Sequence, residues 1–292
     1  MGRNLRTKIV AIGAINILLL CTVITIQGQT AKQSQALPHV LNLTVPVSEK
    51  DVERAIEDLT VTIVFNPASS AAYFNRGCLR QSKGDLDGAL SDYNKTIELK
   101  HKHAAAYNNR ATVYDALGNV DRAMVDFNEA IAIDRKFAMA LVNRGVLQLQ
   151  RGDGDRALVD FEQALKANPN LADAYFNRAV LEIGRSQLEK ALSDLDQSIS
   201  QDPGMIAAYV NRGTVMAALG KLERAVADYD TAIKLDPRLA IVYQNRGIVL
   251  LWLGREIEAA RDFAKCVELD GSLRSSVDEA IKTAQRSHAF VR

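Results

Sequence analysis

The sequence predicts an all-α protein, a solenoid of helix-turn-helix repeats preceded by an N-terminal hydrophobic anchor helix. Within each repeat, apolar residues recur at spacings of three and four in two stretches separated by a turn, which predicts a pair of helices. A fixed period of this length is typical of a repeat architecture. The period is 34 residues without insertion or deletion, and is marked by Asn-Arg followed by Gly or Ala at Asn75, Asn109, Asn143, Asn177, Asn211 and Asn245.

A hydrophobic segment lies near the N-terminus. Arg3, Arg6 and Lys8 precede residues 9–26, which are uncharged and mostly apolar. A helix of that length reaches roughly 27 Å, close to the hydrocarbon thickness of a bilayer. We interpret residues 1–26 as an uncleaved signal anchor, in preference to a cleaved signal peptide or a buried soluble helix. The basic residues predict a cytoplasmic N-terminus, with the repeats on the periplasmic or extracellular side of the membrane. Cleavage would instead give a secreted protein.

The segment after the anchor differs in composition from the repeats. Residues 27–47 are rich in Gln, Thr and Ser, carry Pro38 and Pro46, and show no helical period, which predicts a flexible linker. Six full repeats follow within residues 70–273. Their limits are residues 70–103, 104–137, 138–171, 172–205, 206–239 and 240–273.

Both ends of the repeat region are expected to carry a single capping helix. Ser48 and Asp51 form a capping-box sequence, so a half-repeat helix is expected within residues 48–69. Ser276 and the glutamate three residues later are expected to start a closing helix within residues 274–292. Such helices cover the apolar face that a terminal repeat would otherwise expose.

Small and large residues recur at fixed places in the repeat. A glycine or alanine is expected where the two helices approach closely, and a large side chain is expected to fill the space between helix layers. The small residues of the first helix are Gly77, Ala111, Gly145, Ala179, Gly213 and Gly247, and the large residues of the second are Tyr93, Phe127, Phe161, Leu195, Tyr229 and Phe263. The turns carry Gly84, Gly118, Gly152, Gly220 and Gly254.

This pattern resembles the tetratricopeptide repeat (TPR) family, whose units carry Leu-Gly, Tyr, Ala, an aromatic residue and Pro at fixed places over 34 residues. The resemblance covers about residues 70–273 and implies a right-handed superhelical solenoid whose first helices line a concave groove. Arg80, Gln148 and Glu182 replace the family's first-helix Tyr, and Ser186 replaces the turn Gly. These departures affect local packing and leave the predicted fold unchanged.

An arginine and an aspartate recur once in every repeat. They are Arg76, Arg110, Arg144, Arg178, Arg212 and Arg246, with Asp92, Asp126, Asp160, Asp194, Asp228 and Asp262, and Asp58 in the half-repeat. Because the arginine should face the preceding repeat, we expect structural ion pairs across the joint, by which we mean the contact between successive repeats. These pairs run from Asp58 with Arg76 through Asp228 with Arg246. That leaves Asp262 without an arginine, whereas pairing within repeats would leave Asp58 without one. We prefer this structural role to an anion-binding arginine ladder.

The row of asparagines resembles the ladder by which some superhelical TPR proteins grip an extended peptide backbone. An amide can donate to and accept from any peptide unit. The alternative is that each asparagine bonds its own solenoid or water. The resemblance implies a peptide-binding groove, gripping more tightly toward the C-terminal repeats. The predicted contacts are Asn75, Asn109, Asn143, Asn177, Asn211, Asn245, Phe176, Val180, Thr214, Ile248 and Trp252. Trp252 is read either as a hot spot or as a core residue. The predicted groove positions hold no Lys or Arg. The family's carboxylate clamp requires both, so this argues against such a clamp.

The residue types favour a binding protein over an enzyme. The sequence shows no nucleophile with a matched base and no phosphate loop, so we expect no catalytic residue, cofactor or metal site. A net charge of +1 gives no sign of a nucleic-acid partner. We expect a membrane-tethered scaffold that binds an extended peptide segment of partner proteins. The alternatives are a secreted or periplasmic adaptor and a non-catalytic regulatory subunit of an enzyme complex. Self-association through the ends of the solenoid stays open.

Overall fold

The computed structural model describes residues 48–289, with side chains up to residue 283. The predicted anchor (1–26) and linker (27–47) lie outside the described residues. The helices are α1 Glu49–Phe65, α2 Ser70–Ser82, α3 Leu86–Leu99, α4 Ala104–Ala116, α5 Val120–Ile133, α6 Ala138–Gln150, α7 Gly154–Ala167, α8 Ala172–Gly184, α9 Leu188–Gln201, α10 Ile206–Ala218, α11 Leu222–Leu235, α12 Ala240–Trp252, α13 Glu256–Leu269 and α14 Arg274–Ala289. No helix in this part of the chain is long and apolar enough to cross a membrane.

The described residues form two compact units, 48–169 and 170–289. In the first unit, α1 packs on α2, and three antiparallel hairpins follow, α2 with α3, α4 with α5, and α6 with α7. In the second unit the hairpins are α8 with α9, α10 with α11, and α12 with α13, and α14 packs on the last hairpin. Each hairpin therefore has an A helix and a B helix, and successive hairpins within a unit pack side by side.

The turn between A and B helices requires a left-handed residue. Five of the predicted turn glycines adopt it, with φ between +73° at Gly220 and +80° at Gly84. Ser186 occupies the same place in the fourth hairpin with φ +59°, where a Cβ atom is disfavoured. The predicted turn is confirmed, and the serine marks a locally strained copy of it.

The A and B helices approach each other closely where small residues were predicted. A Cβ atom at Gly145 would lie 2.6 Å from Phe161 Cε1, and one at Gly213 would lie 2.9 Å from Tyr229 Cε1. No real side chain tolerates such distances, so the ring of the B helix takes the space that the missing Cβ leaves. The large B-helix residues are all buried, at Tyr93, Phe127, Phe161, Leu195, Tyr229 and Phe263.

The two capping helices differ in how well their starts could be predicted. The Ser48 capping box is present, because Ser48 Oγ accepts from Asp51 N at 3.2 Å and the Asp51 carboxylate accepts from Ser48 N at 3.1 Å. The closing helix begins at Arg274, two residues before the predicted Ser276. A short 3₁₀ turn leads into it, with Asp270 Oδ1 accepting from Ser272 N at 2.9 Å. Ser276 instead accepts a hydrogen bond from Gln244 Nε2 at 2.6 Å.

Candidate peptide-binding face

The recurring arginine and aspartate pair within each hairpin, not across the joint. Arg76 Nε and Nη2 donate to the two oxygens of Asp92 at 2.9 and 2.7 Å, and Arg246 does the same to Asp262 at 2.7 Å for both bonds. The predicted pairing across the joint was therefore wrong, and Asp262 has an arginine after all. Asp58 is exposed and has no ion pair among the described residues. The same forked pairing joins Arg110 with Asp126, Arg144 with Asp160, Arg178 with Asp194, and Arg212 with Asp228.

The remaining edge of the guanidinium does reach across the joint, to a residue 16 positions earlier on the preceding B helix. In the first unit the acceptor is neutral, and in the second it is a carboxylate. The Nη1 atoms of Arg76, Arg110 and Arg144 donate to Thr60, Asn94 and Asn128 at 3.0, 2.7 and 2.8 Å, and those of Arg212 and Arg246 donate to Asp196 and Asp230 at 2.8 and 2.6 Å. These arginines lock the hairpins in register, which supports a structural role over an anion-binding ladder.

Five of the pairing arginines also stack on a tyrosine of the same helix, a contact that the sequence analysis did not predict. Arg76 lies 5.7 Å from the ring centre of Tyr73, three residues earlier on the same helix. The hydrogen bond to Asp228, which outweighs the opposing effect of burial, raises the pKa of Arg212. Similar stacking joins Arg110 to Tyr107, Arg178 to Tyr175, Arg212 to Tyr209, and Arg246 to Tyr243, at 5.4 to 5.8 Å. The repeat of Tyr three positions before Arg is the signal that could have revealed it.

In the first unit, the predicted asparagine row forms a chain of side-chain hydrogen bonds. Asn109 Nδ2 donates to Cys78 Sγ at 3.4 Å, and Asn108 Nδ2 donates to Asn109 Oδ1 at 3.1 Å. Asn143 Nδ2 then donates to Asn108 Oδ1 at 3.0 Å. The amides of Asn109 and Asn143 thus bond their own solenoid, as the alternative interpretation expected. Asn75 and Asn143 remain half-exposed, whereas Asn109 is buried.

In the second unit, the same row is mostly enclosed. Asn177 Nδ2 donates to the Asp173 backbone oxygen at 2.8 Å. Asn211 and Asn245 have no exposed surface, and neither amide atom of Asn211 has a hydrogen-bond partner in the structure. The buried core includes Phe176, Val180, Thr214 and Ile248, and half-buried Trp252 packs against it. These predicted peptide contacts lie within the core of the unit, and Trp252 agrees best with its core interpretation.

An accessible row remains on the A helices of the first unit. It consists of half-exposed side chains at Asn75, Gln81, Thr112, Asn143, Val146 and Leu149, which we call the A-helix face. Gln81 joins it to the core, because Gln81 Nε2 donates to Thr112 Oγ1 at 2.9 Å and Tyr93 Oη donates to Gln81 Oε1 at 2.7 Å. Asp115 lies beside this row, and burial raises the pKa of its carboxyl. The face is otherwise composed of amides, a hydroxyl and aliphatic side chains.

Family models account for most of the repeat region. Residues 70–103, 104–137 and 142–206 match models described as tetratricopeptide repeat, and residues 215–254 match one described as TPR repeat. Among curated proteins, none matches the sequence.

Solved structures show the same fold. A tetratricopeptide repeat protein from Parabacteroides merdae is 24% identical over 91% of this chain and 99% of that one, with a TM-score of 0.57. PilF of Pseudomonas aeruginosa is 17% identical over 69% of this chain and 92% of its own, with a TM-score of 0.64. The APC/C hetero-tetramer Cut9–Hcn1 is 13% identical over 92% of this chain and 52% of the matched chain, with a TM-score of 0.69.

Proposed function

Because the chain belongs to the tetratricopeptide repeat family, whose members are generally non-catalytic scaffolds for protein partners, we propose that it is a membrane-tethered scaffold holding an extended segment of a partner. The proposed contact surface is the A-helix face of the first unit. The observation that carries this proposal is that Asn75 and Asn143 are half-exposed there, whereas Asn211 and Asn245 of the second unit are fully buried.

The chemistry of the A-helix face suits a peptide backbone. Asn143 is half-exposed and uses its Nδ2 to bond Asn108, which leaves its Oδ1 able to accept from a peptide N–H. Val146 and Leu149 add half-exposed aliphatic surface beside it. The face contains no lysine or arginine, so it has no positive charge that would bind an acidic tail. We infer a neutral segment with alternating polar and apolar side chains.

This location revises the expected distribution of contacts. The resemblance to the family implied a tighter grip toward the C-terminal repeats, around Thr214 and Ile248. Both residues are buried, at 2% and 4% exposure, and Thr214 Oγ1 already bonds the Val210 backbone oxygen at 3.0 Å. A peptide would reach them only after the hairpins separate. The first unit offers comparable groups without that rearrangement.

The membrane tether rests on the sequence. Residues 9–26 are an uncharged apolar stretch long enough to span a bilayer, and Arg3, Arg6 and Lys8 precede it. A tether followed by a polar linker would hold the repeats within reach of partners at the membrane surface. With the basic residues on the cytoplasmic side, we propose that the repeats lie on the periplasmic or extracellular side.

Site-specific photocrosslinking in native cells tests the binding surface. We would install p-benzoylphenylalanine at Val146 on the A-helix face and, as a matched control, at exposed Ile257 on α13 of the second unit. We expect a discrete crosslinked partner from position 146 and none from position 257. Equal crosslinking from both, or crosslinking from 257 alone, would place recognition elsewhere.

Membrane extraction tests the tether separately. The full chain is expected to stay with membranes at alkaline pH and to keep its N-terminal residues when its mass is measured. A chain shortened near residue 27 would indicate a cleaved signal peptide, and release at alkaline pH would indicate no spanning segment.

A further inference from the structure

A cleft of about 730 Å³ in the first unit is lined by α5, α6 and α7. Its walls include Met124 and Val159. Its polar lining comprises Asn128, Arg144, Gln148, Arg151, Asp153, Asp155, Arg156, Asp160 and Gln163. That volume is within the range of about 300–1,000 Å³ that is usual for ligand sites. Gln148 is the notable lining residue because it is only 8% exposed, yet its Oε1 has no hydrogen-bond partner in the structure.

The cleft lies where neighbouring repeats differ in residue type. Gln148 occupies the place that Tyr114 occupies one repeat earlier and Arg80 two repeats earlier. Arg80 fills this space with its own side chain and pairs with Asp92 at 3.0 Å. Two guanidinium groups lie within stacking distance of the Tyr114 ring centre, Arg110 at 5.8 Å and Arg122 at 5.6 Å. Glutamine is shorter and carries no ring, so the corresponding space stays open.

The groups that hold the Tyr114 ring are repeated around the open space. Arg110 and Arg122 correspond to Arg144 and Arg156, and both of these line the cleft. The tyrosine three residues before each pairing arginine is also replaced here, because Leu141 precedes Arg144. Among the six pairing arginines in the described residues, Arg144 is therefore the one without an aromatic ring within stacking distance.

We propose that this cleft binds a tyrosine side chain from an extended segment of a partner protein. The ring takes the place that Tyr114 takes one repeat earlier, between Arg144 and Arg156. A ring that enters from solvent leads with its para substituent, so the phenol hydroxyl reaches the Gln148 amide. Oε1 is enclosed in the free protein, and a turn of the amide about its last side-chain bond brings this unpaired acceptor to the hydroxyl. The site is separate from the A-helix face and does not depend on binding there.

Saturation-transfer difference NMR on the full chain in detergent micelles measures this binding directly, with N-acetyl-tyrosinamide as the probe. We expect saturable binding in the millimolar range, because a single side chain makes few contacts. N-acetyl-phenylalaninamide and the O-methyl-tyrosine derivative lack the donor and should bind roughly five-fold more weakly, which is the usual effect of one neutral hydrogen bond. Equal affinity for all three probes would refute the role of Gln148, and no saturable signal would refute the site.

Two variants test the cleft, one by filling it and the other by opening a second cleft one repeat earlier. Gln148→Tyr supplies the ring from the chain itself, so it should abolish tyrosinamide binding and raise the melting temperature. Tyr114→Gln should open a second cleft between Arg110 and Arg122, and thereby about double the saturation-transfer signal. Unchanged binding in Gln148→Tyr would overturn the assignment even if Tyr114→Gln proved too unstable to purify. Because the probe binds without any partner protein, failure here is distinguishable from failure of the photocrosslinking experiment.

Discussion

The two units are built from the same 34-residue pattern, yet their A-helix rows end in opposite environments. In residues 48–169, Asn75 and Asn143 are half-exposed, and the amides of Asn109 and Asn143 both bond Asn108. In residues 170–289, Asn211 and Asn245 are completely buried. The second unit also has one continuous apolar core, which runs from Phe176 to Ala280. The first unit contains separate clusters instead, including one around Tyr93 and one around Phe127.

This difference shows that the repeat pattern determines the hairpin but not the accessibility of the A-helix row. The glycine turn, the close helix contact and the forked arginine pair are present in both units. The residues between these fixed points decide whether the A-helix row stays accessible or becomes core. Asn108, for example, bonds Asn109 and Asn143 in the first unit, and Val210 occupies the equivalent place in the second.

The largest expected effect comes from removing the buried aspartate of an ion pair. Asp126→Ala leaves the Arg110 guanidinium with neutral Asn94 as its hydrogen-bond acceptor, and should lower the free energy of unfolding by about 3 kcal/mol. Asp228→Ala leaves Arg212 with the Asp196 carboxylate, so its cost should be smaller by about 1 kcal/mol. Urea denaturation followed by far-ultraviolet circular dichroism measures both.

Asp58→Ala is the matched control for this pair of variants. Asp58 is exposed and takes part in no ion pair among the described residues, so its replacement should change stability by less than about 0.5 kcal/mol. A loss close to that of Asp126→Ala would revive pairing across the joint.

The buried amide of Asn211 should give an effect of the opposite sign. Asn211→Leu replaces two unpaired polar atoms by apolar ones of similar size, and should raise the free energy of unfolding by about 1–2 kcal/mol. Asn109→Leu removes bonds to Cys78 and Asn108, and should lower it by about 1 kcal/mol. Thermal unfolding of the two variants tests the contrast. Destabilisation by both would mean that the Asn211 amide has a partner.

Glu182 makes the stability of the second unit depend on pH. Gln148, which cannot ionise, holds the equivalent place in the first unit. Burial, with a further contribution from Asp194, raises the pKa of Glu182 above its ordinary value, and Arg178 and Lys190 only partly oppose this. A raised folded-state pKa stabilises the fold below the unfolded pKa, and that stabilisation is lost as pH rises through the folded value.

Glu182→Gln should therefore be more stable than the parent chain at pH 7, by about 1 kcal/mol, with a smaller gain at pH 4. Differences in melting temperature at the two pH values measure it. Exposed Glu57→Gln serves as the control and should show no such dependence. A gain of equal size at both pH values would exclude ionisation of Glu182 as the cause.

The sequence predicted the elements that depend on periodicity. The helix pairs, the turn glycines and the buried rings all follow from spacing alone. The direction of the arginine pairing could not be read this way, because Arg76 has an aspartate 16 residues after it and another 18 residues before it. The direction of the arginine side chain on the A helix decides between Asp92 and Asp58, and residue spacing does not give that direction. Burial of Asn211 depends on how neighbouring helices approach, although Asn143 holds the same place in the pattern.

The smallest expected effect lies at the outer edge of the arginine network. Arg212 Nη1 donates to Asp196 at 2.8 Å, but the Asp196 side chain is 52% exposed, so water and salt screen the pair. Asp196→Asn keeps an oxygen acceptor like that of Asn94 in the first unit, and should cost less than about 0.5 kcal/mol. The difference should vanish in 1 M salt, where screening is nearly complete. A larger cost that persisted in salt would show that the second unit relies on the charged contact, and that its acidic B-helix residues do more than substitute for amides.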